Sequence, residues 1–208
     1  MDCRILAIDT ATAACSAALF ENGEAIACEY QEIGRGHAEK LIPLIASLPD
    51  KGKADQIIVN GGPGSFTGIR IGLSVGKALG LAWRAPVYSY QCLDLVAAQA
   101  LAAHHHDDFI MVAMLGGHGE YFVQNFDSKG TAVDALLSLP PTEALARAKG
   151  VHVAGTAAEA LAEQSEGLSA LPMLPDAANA LLLSAPARSL AARAIYGRRP
   201  DAKTMQET

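Results

Sequence analysis

The sequence predicts an α/β fold of two lobes, and three observations lead to this prediction. The 208 residues are enough for two lobes of about 100 residues each. Half of the residues are hydrophobic, which is sufficient for a sizeable core. Each half of the chain begins with two strands that read as a hairpin and then alternates helix with strand, a pattern typical of sheets flanked by helices.

The predicted domain boundary lies at a run of polar residues near the middle of the chain. The run His104-His105-His106-Asp107-Asp108 is interpreted as a solvated loop, because consecutive residues of a regular element cannot converge on one ion. We therefore expect a first lobe over residues 1–103, a second over 104–196 and a polar tail over 197–208.

The first half opens with three predicted strands, at residues 5–8, 15–20 and 25–30. Asn22-Gly23 suits the type I′ turn of a hairpin between the second and the third. In the second half, strands are expected at 109–115, 120–127 and 151–154. Helices are expected there at 142–149, 156–164 and 187–196.

The segment from Gln56 to Trp83 organises the chain. Its β-branched residues 57–59 predict a buried strand, which a glycine-rich loop ends, and Ser65 or Thr67 can cap the helix that follows. A strand, a glycine-rich loop and a helix N-terminus together can bind an anion. The loop is not a Walker A motif, because its lysine lies far inside the helix.

Glycine recurs every four residues along this helix and so occupies one face. Each glycine inside a helix costs about 1 kcal/mol relative to alanine, so the pattern implies the close approach of another backbone. That backbone belongs either to the protein's own sheet or to a partner helix. The preceding helix, predicted over residues 37–48, has an apolar arc wider than one stripe, which fits a helix that touches two surfaces.

Two segments resemble the TsaB (YeaZ) family. Residues 62–72, Gly-Pro-Gly-Ser-Phe-Thr-Gly-Ile-Arg-Ile-Gly, match the family signature, and residues 35–45 resemble its His-Ser/Ala-Glu-x-Leu segment. The resemblance implies two actin-like ATPase (ribonuclease H-like) lobes. It also implies a non-catalytic protein needed to make threonylcarbamoyladenosine in transfer RNA, with a TsaD-type transferase and a TsaE-type ATPase as partners.

The glycine face and the wide apolar arc predict that the two helices of the first lobe contact TsaD, or a second copy of this chain when TsaD is absent. A lone histidine at the start of the first helix is expected to cap or pack rather than to bind a metal. The predicted interface residues are His37, Leu41, Leu44, Ile45, Gly68, Ile69, Gly72, Gly76 and Gly80.

The opening strand, acidic turn and hairpin resemble the actin-like ATPase superfamily, in which Asp-x-Gly-Thr/Ser lies under the nucleotide phosphates. Here Ala11 replaces the glycine, and its Cβ would hinder the approach of a phosphate. Asp9 and Thr12 contact phosphate or Mg²⁺, or else they satisfy the N–H groups of the turn. The candidate nucleotide residues are Asp9, Thr10, Thr12, Gly64 and Ser65. No tightly bound cofactor is expected. Binding of ATP or ADP at an interface shared with a partner is left open.

Two enzyme classes are the alternatives: a small-molecule kinase or ATPase of the actin-like type, and a metal-dependent, glycoprotease-like peptidase. TsaD carries a His-x-x-x-His metal pair where this chain has residues 88–95 without histidine, so neither a metal site nor a catalytic residue is expected. The family's Asp-Ala-Arg turn is replaced by Leu115-Gly116-Gly117, which removes a second phosphate-binding turn.

Charge and cysteine content bound the function further. A net charge of −6 argues against a general nucleic-acid surface, so direct binding of transfer RNA by this chain alone is not expected. The four cysteines form no C-x-x-C pair and indicate reduced core residues in a cytoplasmic protein. The charged residues of the glycine-rich helix argue against a membrane span.

Overall fold

A computed structural model describes residues 3–103, 109–149 and 152–197. It contains two mixed sheets with flanking helices, which confirms the predicted α/β fold of two lobes. The polar run at residues 104–108 and the tail beyond Gly197 lie outside the described residues, so the predicted boundary and the polar tail stay predictions.

The first sheet is built around the predicted opening strands. These are β1 (Arg4–Asp9), β2 (Ala14–Glu21) and β3 (Glu24–Glu32), followed by β4 (Gln56–Asn60) and β5 (Val87–Tyr90). β1 to β3 form an antiparallel meander, and β4 and β5 run parallel to β1. Asn22 and Gly23 have φ values of 53° and 89°, the positive values that a type I′ turn requires.

Three helices belong to the first lobe: α1 (His37–Ser47), α2 (Phe66–Trp83) and α3 (Cys92–Ala103). The Ser65 side chain accepts a hydrogen bond from the Gly68 N–H and caps α2, so Ser65 is the cap of the two residues, Ser65 and Thr67, that the sequence left open. α1 and α2 pack side by side on one face of the sheet. α3 packs against the second sheet, and its Leu95 belongs to a core cluster with Ala7 and Ile58 of the first sheet, so the helix joins the two lobes.

The second sheet has five strands in the order β10-β9-β6-β7-β8. They are β6 (Ile110–Leu115), β7 (Tyr121–Phe126), β8 (Leu137–Leu139), β9 (His152–Ala154) and β10 (Ser169–Leu171), with the short helices α4 (Pro141–Leu145) and α5 (Ala158–Ala162). β6 and β7 form the predicted hairpin. Both helices are shorter than predicted, and β8 and β10 were not predicted, whereas the equally short β9 was.

The end of the described chain returns to the first lobe. The 3-10 helix Ala177–Leu182 packs on the first sheet, and β11 (Leu190–Ala191) pairs antiparallel with β5 at its edge. The helix predicted over residues 187–196 is therefore wrong. The pairing of β11 and a hydrogen bond from the Ser89 hydroxyl to the Ala191 carbonyl (2.7 Å) hold this segment extended instead, a tertiary contact that overrides local propensity.

The core lies on both faces of the first sheet and continues into the second. Alternate residues of β1 face opposite layers: Leu6 and Ile8 pack under α1 and α2, and Ala7 packs against the 3-10 helix. Cys15 and Cys92 are buried, as predicted for core cysteines, but Cys3 and Cys28 are exposed. No helix within the described parts of the chain is both long enough and apolar enough to cross a membrane.

Candidate functional site

A cavity of about 800 Å³ lies between the two lobes. The first lobe contributes the turn after β1, the loop after β4 and the first turn of α2. The second lobe contributes the turn between β6 and β7, and the segment that follows β11 closes one side. The predicted anion-binding loop after β4 therefore faces this cavity, which is called the cleft below.

Hydrogen bonds hold the loop after β4 in one conformation. The Asn60 side chain accepts from the Gly62 N–H (2.8 Å), and the Gly62 carbonyl accepts from the Cys92 N–H (2.8 Å). Gly62 has a φ of 101°, which favours glycine. The Ile195 N–H donates to the Gly61 carbonyl (2.6 Å), so the segment after β11 is part of the same scaffold.

The place where a phosphate would meet this loop is filled by the chain itself. The Ser65 N–H donates to the Ala11 carbonyl (2.7 Å), and the Gly68 N–H donates to the Ser65 hydroxyl (3.2 Å). A Cβ on Gly64 would collide with the Ala11 carbonyl, and one on Gly68 would collide with the Thr10 carbonyl. These glycines admit the turn after β1, and two N–H donors of the loop and the helix start are engaged within the protein.

Asp9 lies beneath the cleft and is completely buried. Its carboxylate accepts hydrogen bonds from the Asn60 side chain (2.6 Å), the Tyr90 hydroxyl (3.1 Å) and the Ala11 N–H (3.0 Å). Burial raises the pKa of Asp9 from 3.8 to about 7, and the three hydrogen bonds oppose that shift. Asp9 is absent from the residues that line the cavity.

The structure divides the five candidate nucleotide residues into two groups. Thr12, Gly64 and Ser65 line the cavity, whereas Asp9 and Thr10 are buried below it. The Thr10 hydroxyl donates to the Gly68 carbonyl (2.7 Å) and so joins the turn to α2. The Thr12 hydroxyl accepts from the Ala14 N–H (3.3 Å), which is the turn-stabilising alternative considered from the sequence.

The charges at the cavity differ from those of a site for Mg²⁺ and nucleotide. The described lining residues include Arg70 but no aspartate or glutamate. Within the parts of the chain that the structure describes, no three His, Cys, Asp or Glu side chains lie close enough together to hold a metal ion. Carboxylate oxygens are the usual protein ligands of Mg²⁺, so this lining does not fit that ion.

One cluster at the cavity mouth was not predicted from the sequence. The Arg70 guanidinium lies 3.7 Å from the centre of the Phe66 ring, and the Phe66 and Tyr196 rings are 5.7 Å apart. An Arg70 N–H also donates to the Tyr196 hydroxyl at 3.4 Å. Phe66 and Arg70 belong to the signature segment, but no sequence pattern links them to Tyr196, which comes from the other end of the chain.

The predicted interface residues need correction. All nine are buried in this chain: His37, Leu41, Leu44, Ile45, Gly68, Ile69, Gly72, Gly76 and Gly80. The glycines of α2 face the protein's own sheet, where a Cβ on Gly76 would lie 2.7 Å from a Val59 methyl group and one on Gly80 would meet Val87. A partner protein that binds α1 and α2 would therefore contact other residues of these two helices.

His37 packs and does not face solvent. Its Nε2 lies 3.1 Å from the Ala14 carbonyl oxygen in a buried contact that ties the start of α1 to β2. This agrees with the packing role expected from the sequence.

The outward faces of α1 and α2 carry large apolar side chains. The exposed fractions are 48% for Ile42 on α1 and 84% for Leu81 on α2. These residues form the outer helical surface of the first lobe, and the wide apolar arc seen in the sequence of α1 includes Ile42.

This chain is similar to known proteins over both lobes. A family model described as TsaD, tRNA N6-adenosine threonylcarbamoyltransferase, matches residues 30–189. An uncharacterized protein of Mycobacterium tuberculosis is 33% identical over 215 aligned positions, which cover 97% of this chain and 94% of the relative. The Escherichia coli tRNA threonylcarbamoyladenosine biosynthesis protein TsaB is 34% identical over 102 positions, 47% of this chain and 44% of that protein.

Solved structures show the same similarity. YeaZ from Pseudomonas aeruginosa superposes with a TM-score of 0.77 at 27% identity and covers 93% of this chain and 99% of that one. A second Pseudomonas aeruginosa structure, described as an uncharacterized protein with similarity to peptidase YEAZ, has a TM-score of 0.77 at 28% identity and covers 94% of this chain and 100% of that one.

Proposed function

The chain belongs to the TsaB (YeaZ) family, and we propose that it acts in the biosynthesis of threonylcarbamoyladenosine in transfer RNA. Its role is that of a non-catalytic partner of a TsaD-type transferase, in an assembly joined by a TsaE-type ATPase. The protein works in the cytoplasm, forms a homodimer when TsaD is absent and does not hold transfer RNA by itself.

The filled phosphate position carries the non-catalytic part of this proposal. Ser65 and Gly68 donate their N–H groups within the protein, and the carboxylate of Asp9 lies under the turn instead of in the cleft. The residues from Val87 to Tyr90 form a strand with no histidine where TsaD has its metal pair. No observation favours the kinase, ATPase or peptidase alternatives.

Reconstitution of the modification tests the pathway. Transfer RNA is incubated with a TsaD-type transferase, a TsaE-type ATPase and a threonylcarbamoyl donor, with and without this chain, and its nucleosides are measured by mass spectrometry. We expect threonylcarbamoyladenosine only when the chain is present. Equal yields without it would contradict the proposal.

Substitution of Asp9 tests the absence of a catalytic role. Asp9→Asn should support the same yield of modified nucleoside per folded molecule as the wild type, because this carboxylate does not reach the cleft. The folded fraction is measured by circular dichroism. A folded variant that still binds TsaD but gives no product would assign a chemical role to Asp9.

The outer helical surface is the part of the first lobe that we propose meets TsaD or a second copy. Leu81→Glu should stay folded, because the side chain is 84% exposed, and should weaken TsaD binding at least about tenfold by placing a charge in an apolar contact. Leu182→Glu, at a residue 49% exposed on the 3-10 helix, is the matched control. Calorimetry measures the affinity of both variants for TsaD, and light scattering measures their oligomeric state. Equal TsaD binding by both variants would show that the interface lies on another surface.

The proposal also covers cofactors. The isolated chain holds no zinc and no nucleotide tightly, and any ATP or ADP binds at an interface shared with the partner. Calorimetric titration of the isolated chain with Mg-ATP should therefore show no binding at micromolar nucleotide, and metal analysis should show no stoichiometric zinc. Micromolar affinity that is lost in Asp9→Ala would revive the kinase alternative.

A further inference from the structure

The walls of the cavity between the lobes are largely apolar. Both lobes contribute these walls, and the apolar side chains include Pro63, Ile69, Met114, Phe122 and Ile195. A volume of about 800 Å³ falls in the range of pockets that enclose small organic ligands. The cavity is therefore large enough to take a ligand with an apolar body.

Several polar side chains of the wall are already engaged inside the protein. The Ser138 hydroxyl donates to the Glu120 carboxylate (2.7 Å), and the Thr156 hydroxyl accepts from the Leu115 N–H (2.8 Å). Ser65 and Thr12 accept from backbone N–H groups of their own turns. A sugar or a polyphosphate needs many hydrogen bonds when it leaves water, and this wall has few to offer.

One cation stands at the cavity without an acidic partner. Arg70 forms no ion pair with any carboxylate of the described residues. The Phe66 ring lies under its guanidinium, and the Tyr196 hydroxyl accepts one of its hydrogen bonds. A guanidinium has five N–H donors, so this one is oriented by aromatic contacts and keeps donors for an anion.

We propose that the cavity binds an amphipathic organic anion. The apolar body of the ligand lies between the lobes, and its single negatively charged group pairs with Arg70. This site does not depend on the proposed role in transfer RNA modification, because the isolated chain contains every residue involved.

Calorimetric titration of the full chain with three probes tests the ligand class. The probes are decanoate, decan-1-ol as its uncharged counterpart, and Mg-ATP. We expect saturable binding of decanoate to one site per chain, about tenfold weaker binding of decan-1-ol because the charge-assisted hydrogen bonds are lost, and no displacement of decanoate by Mg-ATP. Absence of saturable decanoate binding, equal affinity for the alcohol, or displacement by Mg-ATP would each overturn the proposal.

Variants locate the site. Arg70→Gln removes the cation, so it should weaken decanoate binding about tenfold and leave decan-1-ol binding nearly unchanged. Leu115→Glu places a carboxylate on the cavity lining, so it should weaken decanoate binding about tenfold and decan-1-ol binding to a smaller extent. Leu115 is 57% exposed, and Leu182, 49% exposed and outside the cavity, gives the matched control Leu182→Glu. Melting curves verify the fold of each variant. Decanoate binding that is unchanged in both Arg70→Gln and Leu115→Glu would contradict the assignment.

Discussion

At the scale of single residues, Asp9 shows how a polar group can be kept in the core. Its two carboxylate oxygens accept three hydrogen bonds, from the Ala11 N–H, the Asn60 side chain and the Tyr90 hydroxyl. The Tyr90 hydroxyl also contacts the Ile8 carbonyl at 3.2 Å. These bonds connect β1, β4 and β5 below the cleft, so the carboxylate supports the cleft floor.

Asp9 gives the stability a specific dependence on pH. Its pKa rises from 3.8 to about 7 on folding, because burial disfavours the charged form. The folded state therefore holds the proton more tightly than the unfolded state. Protonation of Asp9 therefore adds to the free energy of unfolding. This contribution is fully present below about pH 4 and is lost as the pH rises through about 7. The loss is at most about 4 kcal/mol.

Asp9→Asn should flatten the decrease in unfolding free energy between pH 4 and pH 7, as measured by urea denaturation at several pH values. The variant should also be less stable by about 1–3 kcal/mol at low pH, because its amide group faces a donor that then lacks an acceptor. Asp94→Asn is a useful comparison, since burial raises the pKa of Asp94 to about 6 and it contributes in the same direction. Asp176, whose pKa burial also raises, remains in both variants. An unchanged pH profile in Asp9→Asn would contradict the assignment.

At the scale of elements, the glycines of α2 are explained by close packing on the sheet. Gly68 lies against the Thr10 carbonyl, and Gly76 lies against the Val59 side chain. The Thr10 carbonyl belongs to a turn that the hydrogen bond from the Thr10 hydroxyl to the Gly68 carbonyl holds against α2, so it cannot move away, whereas a side chain can adjust. The four glycines thus offset their helix cost by allowing α2 to approach the sheet closely.

Alanine substitutions in α2 should therefore be graded. Gly76→Ala gains about 1 kcal/mol of helix propensity against an overpacking cost of about 1–3 kcal/mol, so a small net loss is expected. Gly68→Ala should cost more than about 3 kcal/mol, because its Cβ meets backbone. Ser74→Ala on the exposed face of α2 is the control and should change stability by less than about 0.5 kcal/mol. Equal stability of Gly68→Ala and Ser74→Ala in thermal unfolding would be incompatible with this packing.

At the scale of the whole molecule, the return of the chain to the first sheet couples the two lobes. Ala177, Ala180 and Leu183 cover Ala7 and Phe20 on one face of that sheet. α3 packs against the second sheet while its Leu95 lies in the core of the first, and a Cβ on Gly197 would contact Phe122 of the second lobe. Neither lobe can bury its full apolar surface without residues that lie on the far side of the predicted boundary.

We therefore expect one cooperative unfolding transition. Scanning calorimetry should give a calorimetric enthalpy equal to the van't Hoff enthalpy, because the lobes share their core. A fragment of residues 1–103 lacks the 3-10 helix and β11 and should expose apolar surface. Two separate transitions, or a stable and monomeric fragment, would show that the lobes are independent.

Several local features of this protein were determined by the sequence itself. The β-branched residues of β4, the Asn22-Gly23 turn and the Ser65 cap were all predicted, and each depends on backbone preferences within a few residues. The alternation of strands and helices predicted two α/β lobes, and the signature around Phe66 identified the family. The presence of a close neighbour along the glycine face of α2 was also predicted from spacing.

The tertiary structure decided which neighbour each of these features meets. It placed the glycine face of α2 on the protein's own sheet, buried Asp9 under the cleft and brought Tyr196 to Phe66. It also drew residues 190–191 into β11, where a helix was predicted. The periodicity of residue types indicates that one face of a helix or strand packs against something, but the residues that pack there come from distant parts of the chain. Their identity depends on which packing buries the most apolar surface without leaving polar groups unpaired.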